Sequence, residues 1–150
     1  MSIPNTITVL GAGYVGLTTA ALLAHAGYKV YVVEPNKERL DVIKTGRSFF
    51  FEEGLDSVIQ LALASGTLIP TDSYKESVPH SSVVFSCVGT PDNPDGSSNL
   101  SYVFSAAKEA ASLAKPGTIY VQKSTVPVGT GRQIEALFSE LGAKLEYVSN

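Results

Sequence analysis

Apolar residues along this chain fall into two recurring patterns, short near-continuous runs of β-formers and longer stretches with a helical repeat. The first run, Thr6–Leu10, passes directly into Gly11-Ala12-Gly13-Tyr14-Val15-Gly16. From about Tyr14 a helical pattern follows, with Leu17, Ala20, Ala21, Leu22, Leu23 and Ala24 apolar on most faces and Gly27 as its stop. Lys29–Val33 is a second run, continuous enough for a parallel strand covered on both faces. Asn36 reads as the N-cap of a short helix through Ile43, ended by Gly46. Leu55, Val58, Ile59 and Ala62 recur at i, i+3, i+4 and i+7, the mark of an amphipathic helix closing near Gly66. Leu68-Ile69 is a short edge strand and Ser82–Val88 a fourth strand. Val103, Ala107, Ala110 and Ala114 mark a helix stopped by Lys115-Pro116-Gly117, and Thr118–Lys123 is the fifth strand. Thr130 with Gln133 reads as a capping box for a helix carrying Ile134, Leu137, Phe138 and Leu141. Gly142 ends that helix, and Lys144–Val148 is a sixth strand.

Strands that alternate with helices predict an α/β, doubly wound Rossmann fold. We expect one domain over residues 1–150 with a six-stranded parallel sheet in the order 3-2-1-4-5-6. Ligands of such sheets lie outside the carboxyl ends of the strands, where strand order reverses beside the first. The glycine turn occupies that place. Gly11 allows the tight turn out of the strand, Gly13 lets main chain approach a pyrophosphate, and Gly16 lets the helix lie close to the sheet. The first N–H groups of the helix lack intrahelical partners and favour an anion.

Glu34, just past the second strand, is placed to accept from both hydroxyls of an adenine ribose and to repel a 2′-phosphate, which favours NAD over NADP. The plainer alternative is a solvated acid at a strand end. Arg39 complicates the choice, since a nearby arginine is how NADP sites accommodate their extra phosphate. It could instead pair with Glu34 or lie over the adenine. The long polar loop Gly89–Ser98 leaves the fourth strand at the same crevice.

Composition narrows the function classes. A net charge of −3 without any basic run argues against a nucleic-acid partner. No cationic leader precedes an apolar core at the N-terminus, and no apolar stretch approaches the length of a membrane span. Cys87 is the sole cysteine, which excludes an internal disulfide and a multi-cysteine zinc site; it reads as a small buried apolar side chain. His80 reads as lying in a polar loop and His25 near a helix end, both as solvated or end-capping residues, and no metal site is expected. Phe49, Phe50 and Phe51 are either packing or a partner surface. Together these features predict a cytoplasmic domain.

Three stretches together resemble the N-terminal domain of the UDP-glucose/GDP-mannose dehydrogenase family. They are Gly11–Leu17, Val88-Gly89-Thr90-Pro91 with Asp95-Gly96, and Lys123-Ser124-Thr125-Val126-Pro127-Val128-Gly129-Thr130. The likeness covers nearly the whole chain and looks strongest to the bacterial UDP-glucose enzymes. One departure is Glu52-Glu53-Gly54, where the family usually has Glu-Pro-Gly. The resemblance implies oxidation of a nucleotide-sugar primary alcohol to a carboxylate by NAD, in two hydride transfers through an enzyme-bound thiohemiacetal and thioester. It implies cofactor contacts from Gly11, Gly13, Tyr14, Val15 and Gly16, from Glu34 and Arg39 at the adenine ribose, and from Val88, Gly89 and Thr90 near the nicotinamide ribose. Thr125, whose hydroxyl both donates and accepts, is the one catalytic candidate and also a cofactor contact; it would help hold the water that hydrolyses the thioester. Turn chemistry before Pro127 is the alternative for Thr125.

After Ser149-Asn150 the family continues into Pro-Glu-Phe-Leu with a catalytic glutamate, and its Lys, Asn, Cys and Asp lie further on, as do a dimerisation helix and a sugar-nucleotide domain. The resemblance therefore implies an excised domain that binds NAD but does not turn over sugar. The parent would be a homodimer, the fragment a monomer. Two other readings compete. One is the cofactor half of a β-hydroxyacid dehydrogenase, which has no use for a thioester-hydrolysing water beside Thr125; the other is a free-standing nucleotide-binding module.

Overall fold

The computed structural model describes residues 6–150. The β-branched runs form strands β1 (Thr6–Leu10), β2 (Lys29–Val33), β3 (Leu68–Thr71), β4 (Val83–Ser86), β5 (Ile119–Gln122) and β6 (Glu146–Ser149). All pair in parallel, in the order β3-β2-β1-β4-β5-β6. Helices α1 (Tyr14–His25), α2 (Lys37–Lys44), α3 (Leu55–Ala64), α4 (Tyr74–Ser77), α5 (Ser101–Leu113) and α6 (Thr130–Glu140) cover the two faces. Parallel strands need crossovers of one hand, and because the chain moves outward from β1 in one direction and then in the other, those crossovers place helices on both sides of the sheet. Two cores result. One gathers Val9, Leu17, Val30, Val32 and Ile59 beneath α1 and α3, the other Leu10, Val84, Val103, Tyr120 and Ile134 beneath α5 and α6. Among the described residues no helix is long and apolar enough to cross a membrane.

The expected elements form, with corrections at their ends. The fourth strand is shorter than Ser82–Val88, and Cys87 lies just beyond its ladder. The Cys87 N–H still bonds the Leu10 carbonyl at 2.8 Å, but the chain then turns over the glycine loop and pairing stops. Likewise β5 and β6 are Ile119–Gln122 and Glu146–Ser149 rather than Thr118–Lys123 and Lys144–Val148. Ala114 is the C-cap of α5.

The capping box at Thr130 does not form. Gly129 is the N-cap, at φ 94°, and Thr130 is the first residue inside the helix. A left-handed residue must end the Val126–Gly129 turn, and only glycine takes that conformation without a steric penalty. The Thr130 hydroxyl is buried and donates back to the Pro127 carbonyl at 2.8 Å. His80 is not in a polar loop but ends a 3₁₀ turn, Val78–His80, continuing from α4. Its sequence signal was present in Ser73-Tyr74-Lys75-Glu76, and the Ser73 Oγ accepts from the Glu76 N–H at 3.2 Å.

Candidate functional site

β1 pairs with β2 on one side and β4 on the other, so strand order reverses at its carboxyl end. The glycine turn leaves β1 there, and each glycine has a different reason to be one. Gly11 sits at φ 88°, and a Cβ on it would lie 2.9 Å from the Cys87 carbonyl oxygen. A Cβ on Gly16 would come within 1.8 Å of the Gly11 carbonyl oxygen, closer than any side chain tolerates. A Cβ on Gly13 would meet nothing within 4 Å. Two of the three are therefore steric necessities of the turn. Gly13 faces open space.

That space lies at the start of α1. Gly13 is the N-cap, caps with no side chain, and the first turn carries no acidic residue. The first helical bond runs from Leu17 N–H to the Gly13 carbonyl at 2.9 Å, so the earlier amides of the turn have no intrahelical acceptor. Tyr14 and Val15, both expected cofactor contacts, are exposed here, Tyr14 with its ring on Phe50. An uncapped helix start with positive dipole charge and open space before it suits a diphosphate.

Glu34 closes the adjoining side. It is only 5% exposed, yet both its oxygens are engaged. Oε2 accepts from the Ala12 N–H at 3.2 Å, within the glycine turn, and Oε1 accepts from the Asn36 N–H at 2.9 Å. Each oxygen keeps a second acceptor position for a hydroxyl. Sequence reasoning placed Glu34 at the site but missed its bond to Ala12, twenty-two positions away, for which no local signal exists. Arg39 does not turn toward Glu34; its guanidinium lies 4.8 Å above the centre of the Phe49 ring.

Across the crevice the turns after β4 and β5 are tied together. The Lys123 and Ser124 N–H groups both donate to the Ser86 carbonyl, at 2.9 and 3.1 Å. The Ser124 hydroxyl donates to the Val88 carbonyl at 2.6 Å. This serine, which sequence reasoning passed over inside its motif, ties Val88 to the turn that carries Thr125. Thr125 is exposed, and Thr90 and Val88 are half-buried. The loop beyond closes on itself as a small hairpin, Asp92 bridged to Ser98, with Asp95 accepting from both the N–H and hydroxyl of Ser97.

Cys87 is partly buried against Gly16, and burial pushes its thiol up to about 11 despite nearby Lys123. It is protonated at neutral pH and suits packing, as expected. Phe49 and Phe50 pack against the core while Phe51 is 89% exposed. An open cavity of about 710 Å³ lies beside them, lined by Asp41, Val42, Arg47 and Asp56. No residue of the glycine turn lines it, although Phe50 on its wall meets the Tyr14 ring at the start of α1.

Fold and turn together define a dinucleotide-binding domain of the doubly wound class. Comparison with known proteins makes the assignment specific. Residues 5–150 match the family described as UDP-glucose/GDP-mannose dehydrogenase family, NAD binding domain, and the chain belongs to that family. It is 43% identical over 147 residues to a UDP-glucose 6-dehydrogenase of Rhizobium meliloti, covering 96% of this chain and 34% of the relative. A UDP-glucose 6-dehydrogenase of Bacillus subtilis is 39% identical, over 89% of this chain and 30% of its own length. Among solved structures, a GDP-mannose dehydrogenase of Pseudomonas aeruginosa superposes with a TM-score of 0.89 at 29% identity, over 96% of this chain and 35% of that one. The chain thus spans about a third of the length of the proteins it matches.

Proposed function

We propose that this chain is the cofactor-binding domain, over residues 1–150, of a nucleotide-sugar dehydrogenase that oxidises UDP-glucose to UDP-glucuronate with NAD. The observation that carries the cofactor site is the conjunction at α1: an uncapped helix start, open space in front of Gly13, and a buried carboxylate, Glu34, bonded to the same turn. In this reading the amides from Gly13 to Gly16 hold the diphosphate, while those of Gly11 and Ala12 stay on the Val33 carbonyl and Glu34 and shape the turn around it. Glu34 accepts from the adenine ribose, and Arg39 flanks the same end. Val88, Gly89 and Thr90 line the nicotinamide half. NAD supplies the acceptor for hydride from the sugar alcohol. The exposed Thr125 hydroxyl orients the water that releases the product acid, since it both gives and takes a hydrogen bond.

UDP-glucose is favoured because the curated relatives at 43% and 39% identity bear that substrate in their names. The nucleophile is not Cys87, whose thiol is raised by burial and packed under Gly16. It would come, like the sugar-nucleotide contacts and a dimer interface, from outside this domain. A cytoplasmic setting accords with a lone unpaired thiol.

Titration of the chain with NAD and NADP by calorimetry tests the cofactor reading. Binding of NAD in preference to NADP is expected; no binding, or a preference for NADP, overturns it. With NAD and UDP-glucose together, the 150-residue chain should form no NADH, and sustained turnover would refute its role as a cofactor domain alone. The sugar is tested by joining the chain to the region its longer relatives possess and comparing UDP-glucose with GDP-mannose as substrates.

A further inference from the structure

The aromatic wall beside the glycine turn does more than pack. Arg39, on α2 five positions past Glu34, is the cation placed to meet a phosphate on the adenine ribose. Its guanidinium instead rests 4.8 Å over the face of Phe49, within the range of a cation–π contact. That ring is itself fixed. Phe50 meets it edge-on, centroids 5.2 Å apart at 87°, and Phe50 lies 4.1 Å from the ring of Tyr14, the first residue of α1. Both phenylalanines are anchored on the core beneath α1 and α3. Meanwhile both Glu34 oxygens are occupied by the main-chain N–H groups of Ala12 and Asn36, so the carboxylate is held without help from the arginine.

We propose that Phe49 is a specificity-determining positioning residue, which holds Arg39 away from the ribose 2′ position so that NADP gains no counter-charge there. This rests on the dinucleotide reading of the glycine turn and Glu34. Discrimination against NADP then has two parts, a carboxylate that repels the 2′-phosphate and an arginine withheld from it. Phe49 touches neither cofactor nor substrate in this account and acts only through Arg39.

The test measures dissociation constants for NAD and NADP by calorimetry on the chain, on Phe49→Leu, on Phe49→Tyr, on Arg39→Ala and on the double variant. Leucine keeps most of the apolar volume but removes the ring face. Phe49→Leu should bind NADP about threefold tighter, the scale of one exposed cation–π contact, with NAD affinity held within experimental error. Phe49→Tyr, which keeps the ring, should restore the unmodified ratio. In the Arg39→Ala background the leucine substitution should have no effect on the ratio. Circular dichroism melts of each variant separate a loosened fold from a released arginine, because loosening weakens both dinucleotides alike. An unchanged NADP affinity in Phe49→Leu, the same gain without Arg39, or a loss of NAD affinity alone each overturns the proposal. Failure of the unmodified chain to bind either dinucleotide overturns the cofactor reading itself, and this inference with it.

Discussion

The glycine turn and the turn at Lys123–Thr130 leave the carboxyl ends of β1 and β5, on either side of β4, yet they are held differently. The first is built from main chain. Gly16 presses under the Gly11 carbonyl, Gly11 under that of Cys87, and Glu34 clasps the Ala12 amide from a position only 5% exposed. The second is tied by the Lys123 and Ser124 N–H groups on the Ser86 carbonyl and by a side chain, the Ser124 hydroxyl on the Val88 carbonyl, and it runs out into exposed Thr125 and fully exposed Val128. A site that must fit the invariant diphosphate of a cofactor can be shaped by steric exclusion, where substitution is all-or-none. A site made of hydroxyls on an exposed turn responds by degrees.

The sharpest way to break this contrast lies within the glycine turn. Gly16→Ala brings a methyl to 1.8 Å from the Gly11 oxygen, so main chain must move, and we expect a loss of about 3 kcal/mol or more of stability in denaturant unfolding. Gly13→Val adds a larger side chain where nothing stands within 4 Å. It should fold with stability within about 1 kcal/mol of the parent, while NAD binding is abolished because the side chain fills the diphosphate position. If both variants lose stability equally, the distinction between steric and ligand-facing glycines is wrong.

Glu34→Gln comes next. One of its two main-chain donors would then face an amide nitrogen, and a charge-assisted bond worth about 2 kcal/mol is lost. NAD affinity should fall about tenfold with a lower melting temperature. Ser124→Ala should cost about 1 kcal/mol, the ordinary net worth of a hydrogen bond, and leave NAD affinity far less changed than Glu34→Gln does. A loss as large as that of Gly16→Ala would show that the second turn is as rigidly built as the first.

The smallest effect concerns the wall of the first turn. The N–H and hydroxyl of Ser48 both donate to Asp56 and hold its carboxyl below its ordinary 3.8. A depressed acid stabilises the native state above its unfolded pKa, and that contribution is lost as pH falls through the lower folded value. The difference in melting temperature between the parent and Asp56→Asn should therefore be constant above about pH 5 and shrink below 3.8. A difference that persists undiminished at acid pH would remove the carboxylate from the account.

Much of this was legible without coordinates, and the misses share one cause. The β1 boundary, the start of α1, Asn36 as a cap and the strand order follow from patterns that repeat within a dozen residues. The capping box at Thr130 failed because Gly129 had already taken the N-cap position to end a turn whose shape the pattern did not reveal. The α4 turn was missed although Ser73 and Glu76 signalled it, because four residues leave no periodicity to read.

What the amino-acid order determined alone is the alternation of strand and helix, and with it the doubly wound sheet, the glycine turn at its switch point and an acid after β2. Those depend on which face of each element is apolar, a local property. Only the tertiary structure decided what the functional side chains touch: Glu34 on Ala12, Arg39 on Phe49 rather than on Glu34, Ser124 on Val88, and Gly16 beneath Gly11. Most of these partners lie ten to thirty-six positions apart, and even the glycine pair meets only because the turn folds back on itself. Periodicity records burial but not neighbours, and neighbours exist only once the parallel sheet has brought the carboxyl ends of its strands together.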